Sequence, residues 1–135
     1  MKNDMQKIVK DFFLNIPKDK YGIDLFEFES LVTWGNINKY FLLDVREFDE
    51  FQQVRIPGSV NIPCSRLAQK INDIPVNQQV IIISEKGIVA AQISSLLNSC
   101  GFKTWTLREG IEGYLDIGGD IEGKSLTLVY QQRGR

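Results

Sequence analysis

The stretch Val80–Val89, read as VIIISEKGIV, concentrates the residues most able to do chemistry in this chain of 135 residues. Four β-branched apolar residues, Val80 to Ile83, have the character of a buried strand, Gly87 offers a turn, and Ile88 onward opens an apolar helix. A strand feeding a tight loop into a helix N-terminus presents free backbone amides to one point. Such loops hold anions and low-pKa thiolates. The residue at the head of this loop is Ser84, followed by Glu85, Lys86, Gly87, Ile88 and Val89. Ser84 could serve as a nucleophile, as a ligand for an anion, or as a hydroxyl that caps the helix. Further chemistry-bearing residues are Asp44 and Arg46, at the end of the apolar run Tyr40–Val45, and two cysteines, Cys64 and Cys100.

The chain contains no histidine. That removes the commonest general base, the commonest metal ligand and every Ser-His or Cys-His arrangement. Without such a base the Ser84 hydroxyl keeps its proton near neutral pH. Lys86 is a poor substitute, since a loop lysine beside Glu85 should stay charged. The two cysteines make neither a zinc spacing nor a disulfide framework, so no metal and no cofactor are expected. Cys100, in a last helical turn, reads as a core thiol, and Trp34 and Trp105 read as core or sheet-packing residues.

A net charge of −1 gives no basic field for nucleic acid, and 43% hydrophobic content with 24% charged residues is ordinary for a globular domain. No stretch approaches the roughly 18 apolar residues of a membrane span. The beginning, MKNDMQKIVKDFF, lacks the continuous apolar core of a signal peptide, so a reducing cytoplasm is the expected location.

These residues need a scaffold, and the pattern supplies one. Met5, Ile8, Val9, Phe12 and Phe13 fall at helical spacing ahead of Pro17. Asp24 and Glu27 have capping-box spacing before a helix over Leu25 to Thr33. Tyr40–Val45 and Val80–Ile83 read as buried strands and Lys103–Leu107 as a further strand, alternating with short helices over EFDEFQQ, from a Ser65 cap to about Ile71, up to about Cys100, and within EGIEGYLDIGG. Leu126–Tyr130 is a possible further strand. Strands alternating with helices predict a parallel sheet covered on both faces, with ligands beyond the carboxyl ends of its strands. Asp44, Arg46 and Ser84 are all expected there.

The blocks LLDVREFDEFQQVRIPGSVNIP and GFKTWTLREGIEGY, with the strand–loop–helix between them, resemble the rhodanese-like (sulfurtransferase) domain family. A weaker likeness is to the rhodanese domain appended to some flavin-dependent disulfide reductases. The resemblance covers residues 24–119, leaving 1–23 as an N-terminal helix and connector and 120–135 as a tail. It implies a three-layer α/β/α fold with a central parallel sheet. It also implies sulfur transfer through a persulfide on a loop cysteine, with Asp44 and Arg46 bracing the loops around that site; an ordinary ion pair closing a strand end is the alternative. Here the departures carry the weight. The family's cysteine falls on Ser84, its loop arginine on Val89, its Gly-His pair on Val54-Arg55, and the first glycine of its later Gly-Gly pair on Glu109. Two readings stay open. One is a catalytically degenerate domain that binds a protein partner or a small anion at the Ser84–Val89 loop. The other is a sulfurtransferase or sulfur carrier, acting through Cys64 or having lost its cysteine by an introduced change to serine.

Overall fold

A computed structural model describes residues 2–125; the possible strand Leu126–Tyr130 lies outside the described residues. The chain opens with helix α1 (Lys2–Asn15), which lies against helix α5 (Ile88–Ser99) and buries no residue of its own. A two-residue strand, β1 (Gly22–Ile23), follows, then α2 (Leu25–Thr33). Strand β2 (Phe41–Asp44) leads to α3 (Phe48–Gln53), and β3 (Val60–Asn61) leads to the single helical turn α4 (Leu67–Lys70). Strand β4 (Gln79–Ile83) feeds α5, and β5 (Lys103–Leu107) feeds α6 (Gly110–Asp116).

The five strands form one sheet in the order β1-β5-β4-β2-β3, every neighbouring pair parallel. Successive residues of a strand face opposite sides, and the two cores follow from that alternation. Leu42, Ile81 and Ile83 join Phe28 of α2 and Ile111 and Tyr114 of α6 on one face. Leu43, Val80 and Ile82 join Ile93 and Leu97 of α5 on the other. The layers are therefore helix, sheet, helix, as the alternating pattern requires. Ile81 and Ile82 are both fully buried because both faces of their strand are covered.

The helix over Leu25 to Thr33 begins at the expected cap, where the Asp24 carboxylate accepts the Glu27 amide at 2.9 Å. Three expectations are corrected. Ser65 caps nothing: Pro63 starts a 3-10 turn over Cys64–Arg66, Arg66 N donates to Pro63 O at 2.8 Å, and the cap of α4 is Arg66. Cys100 is exposed rather than core. The buried stripe of α5 runs through Ala90, Ile93, Ser94, Leu97 and Asn98, and its next position is Gly101, so Cys100 misses it by one residue. Trp34 is 77% exposed, since it sits on the side of α2 opposite Leu25. Trp105 does pack against the sheet core and Tyr40. Among the described residues, no helix is long and apolar enough to cross a membrane.

Candidate functional site

Asp44 ends β2 and stands in register with Ile83, the last residue of β4, so the carboxyl ends of the two central strands lie side by side. Asp44 is fully buried, and an isolated carboxylate there would be costly. Arg46 neutralises it. The guanidinium donates Nη2 to Asp44 Oδ2 at 2.9 Å and Nε to both carboxylate oxygens at 3.2 Å, while the Arg46 amide donates to Oδ1 at 2.9 Å. The same guanidinium donates to the Val54 carbonyl at 2.6 Å, tying the end of α3 to the strand tip. Asn61 completes the brace, its Nδ2 donating to the carbonyls of Asp44 and Arg46 at 3.0 and 2.9 Å.

The loop after β4 is held on three sides. Ser84 is 4% exposed, and its Oγ accepts the amides of Gly87 at 3.0 Å and Ala90 at 3.2 Å. Ala90 N belongs to the first turn of α5, so the Ser84 hydroxyl supplies the cap that α5 lacks at Gly87. The carbonyls of Ser84 and Glu85 accept the amides of Ile111 and Glu112 at 2.9 and 3.0 Å, which satisfies the N-terminal turn of α6. Gly87 has φ of 89°, and a Cβ there would run into the Arg108 carbonyl; a Cβ on Gly110 would strike that of Glu85. Both glycines are therefore required by the close approach of loop, β5 and α6.

Glu85 reaches toward the brace, its Oε2 lying 4.0 Å from Arg46 Nη1. Glu85, Lys86, Ile88 and Val89 are exposed, with Ile88 and Val89 at 68% and 43%. The structure thus brings Asp44, Arg46 and the Ser84–Val89 loop together, as expected for strand ends in one parallel sheet.

Cys64 stands just past β3, its amide and its Sγ both donating to the Val45 carbonyl at 3.2 Å. Partial burial pushes the thiol pKa up, its own backbone hydrogen bond offsets part of this, and the negative Glu47 adds to the rise. Glu109 is a residue whose role sequence reasoning missed. Its Oε2 accepts the Leu25 amide at 3.1 Å, so the β5–α6 turn caps α2 from across the fold. The signal was a carboxylate where a glycine was expected, but its partner is 84 positions away in the chain.

The family described as the rhodanese-like domain matches residues 27–116. Among curated proteins, the chain is 32% identical over 62 residues to YrkF of Bacillus subtilis (strain 168), provisionally named a sulfur carrier protein. That match takes in 46% of this chain and only 34% of YrkF. It is 27% identical over 71 residues to YtwF of the same organism, provisionally named a sulfurtransferase, covering 53% of this chain and 69% of YtwF. Among solved structures, a rhodanese-related protein from Thermoplasma volcanium superposes with a TM-score of 0.67 at 26% identity, over 76% of this chain and 97% of that one. A family match over most of the chain and the shared all-parallel sheet agree, and the chain belongs to the rhodanese-like domain family.

Proposed function

We propose that this chain is a rhodanese-like domain that does not run the cysteine persulfide cycle and acts as a binding or regulatory module through the Ser84–Val89 loop. The observation that carries this reading is the Ser84 hydroxyl itself, buried and already accepting two loop and helix amides. Persulfide chemistry needs a thiolate stabilised at that point by those donors. A protonated oxygen keeps the geometry and lacks the nucleophile. It fills the amide pocket from within the chain, so α5 is capped without any bound anion.

The surroundings support the same reading. A doubly negative sulfur donor would approach a loop whose first charged side chain is Glu85, and Val89 offers it no cation. Exposed Ile88 and Val89 instead present an apolar rim suited to a protein partner.

The provisional names of YrkF and YtwF favour a second reading, sulfur carriage, which in this chain would fall to Cys64. The Cys64 thiol opposes it, since its proton is engaged by Val45 and its pKa is raised. The test is intact-mass spectrometry of the chain after incubation with thiosulfate. We expect no added sulfur atom. Stoichiometric sulfur on Cys64 would establish the carrier reading in its place.

A further inference from the structure

Beside the loop, on the α5 side of the sheet, a cavity of about 510 Å³ opens between the connector preceding β1 and the first turns of α5. Its size lies within the range typical of small-molecule sites. Room is made by small residues: Gly22, Gly87 and Ala91 line it, and Tyr21, 60% exposed, stands at its edge.

The charges of this cavity are distinctive. Three charged side chains line it, Asp19, Lys20 and Arg108. Lys20 is committed elsewhere, paired with Glu27 and placed 4.5 Å above the Trp105 ring. Asp19 and Arg108 are not. Among the described residues neither has an ion-pair partner within 4.0 Å, and they are not paired with one another. Among the described residues the cavity therefore offers one unpaired anion and one unpaired cation in its lining.

We propose that this cavity binds a small zwitterion of the α-amino-acid class, its carboxylate on Arg108, its ammonium on Asp19 and its side chain against the Tyr21 ring. An arginine fork suits a carboxylate better than any other donor in the chain. A purely anionic ligand would be repelled by Asp19, and a purely cationic one by Arg108. The site is separate from the Ser84 hydroxyl and does not depend on the proposed role of the loop. It touches the loop only at Gly87, whose backbone lies against the Arg108 carbonyl.

The experiment is a titration of the full chain, followed by amide chemical shifts in NMR, with three probes. They are L-phenylalanine, its carboxamide, which lacks the negative charge, and N-acetyl-L-phenylalanine, which lacks the positive charge. We expect saturable shifts at Gly22 and Gly87 with L-phenylalanine, and binding weakened about twofold to fivefold by loss of either charge, the scale of an exposed ion pair. In Arg108→Gln the carboxamide and the free acid should bind alike, and in Asp19→Asn the N-acetyl derivative should match the free amino acid. Both side chains are exposed, so both variants should fold. No saturable shift at these glycines would overturn the proposal. So would equal binding of all three probes to the unaltered chain.

Discussion

Serine and cysteine differ by one atom, and at position 84 that atom decides what the loop can do. The Ser84 oxygen accepts amides from Gly87 and Ala90, the arrangement that would stabilise a negative sulfur. Ser84→Cys should therefore yield a thiol with a pKa below the free value of about 8.5. Thiolate absorbance followed against pH, in a background with Cys64 and Cys100 changed to serine, reads this directly; a value at or above the free thiol would show that burial outweighs the two amides. Sulfur transfer by this variant should stay poor, because a dianionic donor meets Glu85 and finds no cation at Val89. One misplaced charge near a surface site costs a factor on the order of tenfold to a hundredfold in rate after screening. Adding Val89→Arg should recover a measurable, salt-sensitive part of it.

At the scale of elements, the loop is a joint between α5, β5 and α6, and two glycines let the parts close. Gly87→Ala combines a positive φ with a collision against the Arg108 carbonyl, neither of which a side-chain rotation can relieve. We expect a loss of about 2–4 kcal/mol in chemical denaturation. Gly101→Ala makes a useful control, having a positive φ of 96° but open space around its Cβ position, and should lose only about 1 kcal/mol. Equal losses would mean that the backbone conformation, not the close approach, sets the cost. The same elements show what the sequence could reveal. Val80–Ile83 and Leu25 to Thr33 were legible because a continuous apolar run and an Asp24 cap are local signals. The pairing of Asp44 with Arg46 was legible because the two stand two positions apart at the end of one apolar run. Strand β1 was not, since two residues make no pattern and Gly22–Ile23 is extended only by pairing with Thr106 and Leu107. Ser65 misled because a serine before apolar residues imitates a cap, while Pro63 had already set the turn. Of the three roles its position allows, nucleophile, anion ligand and cap, Ser84 makes the cap's hydrogen bond, from three residues before the N-cap position Gly87.

Across the whole molecule, the core on the α2 and α6 face meets the alkaline limit through Tyr114. This phenol is fully buried beneath α6, and burial pushes its pKa far up, with the negative charges of Glu29 and Asp120 adding to the rise. The sign follows from the proton count. Below the ordinary phenol pKa of about 10, folded and unfolded chains both hold the proton and Tyr114 contributes no pH dependence. Above it the unfolded chain releases the proton and the folded chain does not, so stability falls by up to about 1.4 kcal/mol per pH unit from this group. Denaturation midpoints measured from pH 8 upward should drop beyond about pH 10, and more shallowly in Tyr114→Phe. An identical alkaline decline in that variant would assign the effect to other groups.

The claim on which everything turns is that the Ser84 loop has no sulfur-accepting nucleophile. A thiosulfate:cyanide sulfurtransfer assay on the unaltered chain measures it most directly, by thiocyanate formed per chain per second. We expect a rate indistinguishable from a blank without protein. A turnover within a thousandfold of the median enzyme value of about 10 per second would contradict the claim and return the chain to the sulfurtransferases.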